Sequence, residues 1–295
     1  MDWDDLRIFL AVARSESLSR AGTALRLDPA TVGRRIARLE TALALRLFVK
    51  SPQGYALTEE GARLLVHAER AEAALTGAAE AMRGQGAGLT GQIRLGAPDG
   101  CANYLLPQVL ARIADDNPGL EVQIVALPRV LNLSRREVDM AIGVSRPAAG
   151  RLTVQKIADY RLHLAASRDY LARAGAPVTA DDLRHHRMVG YIPDMIFDPE
   201  LDYLAGIGIE RVALASNSIP VQLMWLRAGA GLGMVHAFAM PFAPELVPVL
   251  PGVALIRTFW LIRHAGDARS DRLDRFAAAL LSGLRAEVAR LETFS

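Results

Sequence analysis

The sequence contains very little cysteine, since Cys101 is the only one among 295 residues. A single cysteine excludes a disulfide framework, a zinc site built from several cysteines and a two-cysteine redox switch within one chain. This usage is typical of a reducing compartment, so we expect a cytoplasmic protein. Without a resolving partner, packing or ligand contact is favoured over redox sensing for Cys101.

An excess of charge of one sign is also missing, because 34 Lys plus Arg face 32 Asp plus Glu. Any binding of nucleic acid must therefore depend on a local basic cluster. The hydrophobic fraction of 51% excludes a disordered chain. At about 150 residues per domain, the length predicts about two domains.

Long apolar runs are absent as well. The longest uncharged stretch, residues 228–244, is interrupted by Gly229, Gly231, Gly233 and Pro241 and is shorter than the ~20 residues of a spanning helix. The amino terminus is acidic where a secretory signal would be basic. We therefore expect neither a membrane segment nor export.

Three short helices are predicted in the first 45 residues. Apolar residues recur at i, i+3, i+4 and i+7 from Leu6, and a second short helix is predicted over Leu18–Leu25. Asp28 followed by Pro29 is a typical helix start, and the third helix is predicted to run to about Leu43.

The third predicted helix has one apolar and one basic face. The apolar face carries Val32, Ile36, Leu39 and Leu43, and the polar face carries Thr31, Arg34, Arg35 and Arg38. Residues 20–50 contain seven basic and two acidic side chains. The alternative interpretation of this face is an ordinary solvated surface.

A small wing and a long helix are predicted next. Apolar segments Leu45–Val49 and Gly54–Leu57 flank a Pro- and Gly-containing turn, which predicts two strands with Lys50 and Gln53 near the tip. Thr58 is the expected cap of a long helix with apolar residues at spacings of four and three, a pattern typical of a coiled coil. These residues are Leu64, Ala68, Ala71, Leu75, Ala78 and Met82. An amphipathic helix lying on its own domain is the alternative, and the glycines at 84, 86, 88 and 91 predict a linker.

Strand and helix candidates alternate beyond the linker, which predicts an α/β fold with largely parallel sheets. The predicted strands cover residues 93–97, 120–125, 140–144, 162–167, 188–191, 211–215, 232–236 and 259–263, and a closing helix covers about 270–291.

Several motifs occur together in one order and resemble those of LysR-type transcriptional regulators. They are LRIFLAVA at residues 6–13, TVGRRIARLE at 31–40, RLF at 46–48, LTEEG at 57–61 and AGAGLG at 228–233. The resemblance covers essentially the whole chain. It departs at Gly22, where the family often has Ala, and at Gly33, where Ser is common; interior glycine would soften the second helix.

The resemblance implies the fold class and the domains. We expect an α/β protein with an N-terminal winged helix-turn-helix over residues 1–58, a long dimerising linker helix and hinge over 59–88, and a C-terminal effector domain over 89–295. That domain would have two α/β lobes resembling periplasmic binding proteins, with lobe I at about 89–161 plus 264–295 and lobe II at about 162–263.

The resemblance also implies the function, which is sequence-specific regulation of transcription. The expected partners are promoter DNA, a small-molecule effector in the interlobe cleft, a second copy in a dimer or tetramer, and RNA polymerase. We expect Thr31, Arg34 and Arg35 to approach bases, and Arg38, Arg20, Lys50 and Gln53 to hold phosphates or the adjacent minor groove.

The predicted effector site combines two strand-to-helix junctions with two arginines. Ligands of open α/β sheets bind beyond strand carboxyl ends, where helix amino termini favour anions. The candidates are Asp99, Gly100, Cys101, Asn103, Arg129, Arg146, Ser216, Asn217 and Ser218. A small organic anion is the suggested class, although Asp99 would repel it unless that side chain points outward or pairs with an arginine.

Other chemistry has little support in the sequence. No nucleophile motif can be assembled, the histidines show no metal spacing, and the glycines at 229–233 suit a helix end better than a phosphate loop. We expect no enzyme activity, catalytic residue, metal or cofactor. Two rival interpretations are a solute-binding protein, which leaves the basic helix and wing unexplained, and a metabolite-independent DNA-binding protein whose lobes serve only oligomerisation.

Overall fold

The computed structural model describes residues 2–51, 54–82, 88–127, 138–147, 152–209, 211–265 and 271–293. It divides into two compact units. One holds the amino-terminal helices and wing, and the other holds most of the remaining chain. No helix among the described residues is long and apolar enough to cross a membrane.

The first unit contains every helix and strand predicted there. Its elements are α1 (Trp3–Ser15), α2 (Leu18–Leu25), α3 (Pro29–Leu43), β1 (Phe48–Ser51), β2 (Gly54–Leu57) and α4 (Glu59–Met82). Strand β1 begins at Phe48 rather than at Leu45, and the two strands pair antiparallel with Lys50 opposite Tyr55.

Side-chain caps fix where the short helices begin. Asp2 accepts a hydrogen bond from the Asp4 amide, and Ser17 accepts one from the Arg20 amide. Asp28 accepts from the amides of Ala30 and Thr31, which satisfies donors that have no partner within α3. The predicted start of the third helix is therefore confirmed.

One apolar core holds these helices together. Phe9, Val32, Leu39 and Leu47 are fully buried, and the rings of Phe9 and Phe48 lie 5.3 Å apart. Each buried large apolar side chain contributes about 1.5–3 kcal/mol to folding. Because Val32 and Leu39 of α3 lie in this core, the opposite face of the helix points away from it.

Position 22 on α2 has no room for a side chain. A Cβ at Gly22 would lie 2.6 Å from the backbone oxygen of Leu27. The Leu27 amide donates to the Gly22 oxygen over 2.8 Å, so the backbone here is tightly turned. The close approach gives a steric reason for glycine here, and the expected softening of α2 stays a prediction.

The second unit is built around a seven-stranded sheet. Its elements are β3 (Thr90–Pro98), α5 (Asp99–Tyr104), α6 (Leu106–Asp115), β4 (Gly119–Leu127), β5 (Met140–Gly143), β6 (Leu152–Ser167), α7 (Arg168–Ala174), β7 (Val189–Gly190), β8 (Leu214–Ala215), α8 (Ile219–Arg227), β9 (Leu232–His236), β10 (Leu246–Pro248), β11 (Ala254–His264) and α9 (Asp271–Glu292). The strand order is β10-β6-β11-β5-β3-β4, with β9 also paired to β6, and β7 pairs separately with β8.

The α/β architecture is confirmed, but the expectation of largely parallel sheets is wrong. Strand β3 runs parallel to β4 and β5, whereas β5 with β11, β6 with β10 and β6 with β9 are antiparallel. The difference arises from β6 and β11, which are much longer than the predicted segments 162–167 and 259–263. Their first halves alternate exposed and partly buried residues, so they lack the apolar run that marked the other strands.

Helix α9 closes the second unit as predicted. Arg112 on α6 donates to Glu287 over 2.9 Å, and Arg285 donates to the backbone oxygen of Ile157 over 2.8 Å. Because β6 is continuous, the expected lobe boundary at residue 161 falls inside one strand.

Candidate DNA-binding surface and effector site

The amino-terminal half of α3 presents a polar pair to solvent. Arg34 is exposed, and its Nη2 donates to the Oγ1 of Thr31 over 2.9 Å. Val32, Ile36 and Leu39 are buried on the opposite side of the helix. The structure therefore brings Thr31 and Arg34 together on an accessible face.

Arg35 and Arg38 have a different environment because acidic residues at the start of the chain face them. Arg35 Nη1 lies 3.0 Å from Asp5 Oδ1, and Arg38 reaches both oxygens of Asp5, at 2.8 Å from Nε and 2.6 Å from Nη2. Arg38 Nη2 also lies 3.4 Å from Asp2. These two arginines tie α3 to α1, which the charge count over residues 20–50 did not show.

The Asp5 carboxylate is a buried charge that depends on these partners. Its side chain is only 5% exposed. Burial alone raises the pKa of Asp5, but hydrogen bonds from Arg38 and Arg35 outweigh it, so the pKa is lowered overall. Asp5 therefore remains ionised and holds α3 in place.

The remaining predicted phosphate contacts are spread over α2 and the wing. Arg20 is exposed on α2, and Lys50 is exposed on β1. Gln53 lies outside the described residues. Arg46, whose side chain is 85% exposed, lies 3.5 Å from Glu40 and adds a further basic group near β1.

The predicted coiled-coil seam divides into two parts. Ala68 is fully buried and Leu64 packs against the same core, so this half of α4 lies on its own unit. A bidentate pair between Arg14 and Glu72, with distances of 3.1 and 2.6 Å, ties α4 to α1. Further along α4, Leu75 is 51% exposed and Ala78 is exposed. Among the described side chains of the seam, Leu75 and Ala78 are the ones that remain exposed to a partner helix.

In the second unit, the two predicted junctions meet. Asp99 begins α5 directly after β3, and its Oδ2 accepts a hydrogen bond from the Ile219 amide at the start of α8, over 2.7 Å. Asn103 donates to Asp99 Oδ1 over 2.8 Å. The anion hypothesis required Asp99 to point outward or pair with an arginine, and this inward carboxylate counts against it.

The serines before α8 support that helix start. Ser216 Oγ accepts from the Ser218 amide over 3.1 Å, and Gln222 Nε2 donates to the Ser216 oxygen over 2.6 Å. Ser218 occupies the cap position without a side-chain capping bond, and Asn217 between the two serines is partly buried. The residues thus gather at one helix end.

Gly100 and Cys101 are buried at the other side of the junction. A Cβ at Gly100 would lie 3.3 Å from the His236 ring, so glycine lets the two segments approach closely. Cys101 is 1% exposed, and burial raises the pKa of its thiol. An inaccessible protonated thiol suits packing rather than redox sensing.

Of the two arginines proposed as counter-charges, only Arg146 lies among the described residues. Arg146 is exposed after β5, and no hydrogen bond or ion pair joins it to the described junction residues. Arg129 lies outside the described residues. A cation on β11, Arg257, lies close enough to Tyr203 to affect it electrostatically and pairs with Glu200 at 2.7 Å.

The sequence interpretation missed an aromatic cluster beside the junction. The His236 ring stacks at 5.6 Å from Tyr160 and meets Tyr203 edge-on at 5.7 Å. Burial lowers the pKa of His236 to about 3, so this ring is neutral. Tyr191 packs edge-on against Tyr203 with ring centres 5.7 Å apart. His236 and Tyr191 end predicted strands, and that position was the signal that could have identified them.

No cluster of His, Cys, Asp and Glu suited to a metal ion occurs within the described parts of the chain. Residues 228–231 lie between α8 and β9, with Gly229 at φ +71°. This is the helix end that the sequence predicted in preference to a phosphate loop.

A winged helix-turn-helix unit followed by a long helix and an α/β unit defines the class of DNA-binding regulators with a sensor domain. Comparison with known families agrees: the bacterial regulatory helix-turn-helix protein, lysR family, matches residues 3–62, and the LysR substrate binding domain matches residues 86–285. The chain belongs to the LysR family of transcriptional regulators. It is a DNA-binding transcriptional regulator with a LysR substrate binding domain, and effector-responsive regulation is typical of this family.

Individual relatives show how far the likeness extends. The HTH-type transcriptional regulator DgdR of Burkholderia cepacia is 30% identical over 277 residues, which cover 88% of each chain. The HTH-type transcriptional activator TtdR of Escherichia coli is 26% identical over 283 residues, covering 91% of this chain and 89% of that protein.

Solved structures of whole regulators share the fold. CrgA of Neisseria meningitidis, described as a LysR-type transcriptional regulator, has a TM-score of 0.59 at 22% identity and covers 96% of this chain and 99% of its own. ArgP of Mycobacterium tuberculosis has a TM-score of 0.69 at 20% identity and covers 98% and 97%.

Proposed function

We propose that α3 reads promoter DNA through Thr31 and Arg34. The observation that carries this proposal is the exposed hydrogen-bonded pair at the amino-terminal half of α3, which is the part of a recognition helix that enters the major groove. An arginine there can bind guanine through two donors. We assign Arg35 a mainly positioning role, since it contacts Asp5.

Phosphate contacts are proposed for Arg20, Lys50, Gln53 and the exposed part of Arg38. Arg38 is 53% exposed although it pairs with Asp5, so it can still face a backbone phosphate. Phosphate contacts position a protein on DNA and carry no sequence information directly. These residues would therefore set affinity and salt dependence.

The test compares Arg34→Ala with Arg7→Ala in gel shifts on a set of operator variants. Arg7 is an exposed arginine on α1, with 52% of its side chain accessible, and serves as the matched control. Arg34→Ala should lose about 1–3 kcal/mol of discrimination at one base pair of each half-site. Unchanged discrimination in Arg34→Ala would refute its role in base recognition.

We propose that two copies pair through the second half of α4. The support is the exposure of Leu75 and Ala78 on a helix whose first half already covers its own core. A dimer would present two copies of α3 to two half-sites of one operator. Tetramers and contacts with RNA polymerase belong to the same proposal and rest on family resemblance.

The effector region is proposed at the meeting point of α5 and α8, with Asp99, Gly100, Cys101, Asn103 and residues 216–218. The hydrogen bond from the Ile219 amide to Asp99 supports it, since it joins two strand-to-helix junctions. We propose that the protein acts in the cytoplasm and is not an enzyme; the support is that its relatives are named as transcriptional regulators.

A second candidate is DNA binding that is independent of any metabolite. The observation that favours it is the same hydrogen bond, because a junction closed by its own carboxylate needs no ligand to join the two segments. Ligand binding in the second unit, tested below, separates the two candidates.

A further inference from the structure

A cavity of about 340 Å³ lies within the second unit, beside the proposed effector region. One wall is the segment 193–209, which contains the short 3-10 helices Pro193–Met195, Pro199–Leu201 and Ala205–Ile207. The opposite wall comes from β7, α8 and β9 through Val189, Gln222 and Met234. We call this space the 193–209 cavity.

Most of the side chains that line the 193–209 cavity are apolar. They include Val189, Ile196, Leu204, Ile209, Val212 and Met234. No Lys, Arg or His is among its described lining residues, and the one charged group is the carboxylate of Asp202. An anion entering this space would lose its water without gaining a counter-charge from the lining residues, and the nearby Arg257 is already paired with Glu200.

The junction next to the cavity is unfavourable for an anion for a separate reason. Helix amino termini favour anions because their first amides lack partners. At the start of α8, the Ile219 amide already donates to Asp99. The protein's own carboxylate therefore occupies a donor that an acidic ligand would use.

The cavity does offer hydrogen-bonding groups to an uncharged ligand. Gln222 is only 5% exposed; its Nε2 donates to Ser216, while its carbonyl oxygen accepts no hydrogen bond within the described chain. Tyr191 and Tyr203 place two rings in the wall, and the Tyr203 hydroxyl lies 3.4 Å from His236 Nε2. An aromatic ligand could pack against these rings while a hydroxyl or amide donates to Gln222.

The volume limits the size of the ligand. A cavity of about 150 Å³ holds one benzene molecule, so 340 Å³ holds a molecule of about two fused rings. Asp202 and Ala205 line the cavity and are exposed, which opens a route from solvent.

We propose that the 193–209 cavity binds an uncharged, largely apolar molecule of about 10–14 non-hydrogen atoms with one hydrogen-bond donor. Its role as the regulatory effector rests on the proposed function. The ligand would contact Tyr203, which packs against His236. The His236 ring in turn lies against Gly100, beside the Asp99 junction.

The test uses two probes that share one ring system, 2-naphthol and 2-naphthoate. Isothermal titration calorimetry on the full chain at pH 7 should show 2-naphthol binding at least tenfold more tightly than 2-naphthoate. Ala205→Trp should fill the cavity from its exposed side and weaken 2-naphthol binding at least tenfold. The control Val178→Trp, at a site 82% exposed and not part of the cavity lining, should bind as the wild type does.

Three outcomes would overturn the proposal: naphthoate binding as tightly as naphthol, no naphthol binding at millimolar concentration, or unchanged binding in Ala205→Trp. Because calorimetry needs no DNA, these results are independent of operator recognition. Unchanged operator discrimination by Arg34→Ala in the gel shifts would refute base recognition by α3. It would leave the cavity measurement intact.

Discussion

The contact between Asp5 and the two arginines of α3 makes a quantitative prediction for Asp5→Asn. A hydrogen bond to a charged group contributes about 1.5–3 kcal/mol, and Asp5 accepts from both Arg35 and Arg38. These arginines are 33% and 53% exposed, so solvent screens part of the interaction. We expect Asp5→Asn to lower the stability of the α1–α3 packing by about 2 kcal/mol.

Hydrogen exchange of the full chain measures this loss locally. A change of 2 kcal/mol corresponds to roughly thirtyfold faster exchange of amides in α1 and α3. Asp4→Asn is the matched control, because Asp4 is 56% exposed and lies 3.9 Å from Arg7. It should leave exchange nearly unchanged.

The same contact predicts two further observations. Because the pKa of Asp5 is lowered in the folded protein, its contribution is present above the ordinary pKa of an aspartate and is lost as the pH falls through the folded value. Asp5→Asn should also remove the buried carboxylate that neutralises Arg35 and Arg38 and leave only the exposed Asp2 beside them. The salt dependence of nonspecific DNA binding should therefore become steeper, by at most about one unit per arginine. Equal exchange rates in wild type and Asp5→Asn would refute the positioning role.

Two further predictions concern the helix glycines and the buried histidine. Gly22→Ala should destabilise the first unit by about 1–3 kcal/mol. Gly33→Ala, whose Cβ would meet only Leu18 at 3.4 Å, should stabilise it by up to about 1 kcal/mol. Thermal unfolding checks both variants, and equal shifts in their unfolding temperatures would contradict the steric argument. The pKa of His236 is about 3 in the folded protein. As the pH falls, this histidine therefore takes up a proton in the unfolded chain before it does so in the folded one. The free energy of unfolding should decrease by about 2 kcal/mol from pH 7.5 to pH 5. Urea unfolding should show this slope in the wild type and a flatter one in His236→Phe.

The amino-terminal unit could be predicted closely because its signals are local. Asp28 and Pro29 start α3, and spacing of apolar residues separates its two faces. The partners of Arg35 and Arg38 could not be predicted in this way, since Asp2 and Asp5 lie about thirty residues away in sequence. Local charge counts therefore overstated the number of free guanidinium groups on α3.

The effector region shows the same limit more strongly. The junctions at Asp99 and Ser216 were found because helix starts after strands have a local pattern. The bond between Asp99 and Ile219 spans 120 residues, and the aromatic cluster depends on β6 and β9 lying side by side. Tyr160 was not identified because it lies just before the apolar run at 162–167, where exposed and buried residues of β6 still alternate.

Recognition of DNA by α3 is tested most directly by footprinting of the full-length protein on DNA just upstream of its own gene at two salt concentrations. Recognition by α3 in a dimer predicts specific protection of two half-sites about one helical turn apart, or a multiple of that, weakened at the higher salt. Arg34→Ala should lose the preference for these half-sites while retaining salt-dependent binding. Protection without any sequence preference, or a preference unchanged in Arg34→Ala, would contradict recognition by α3.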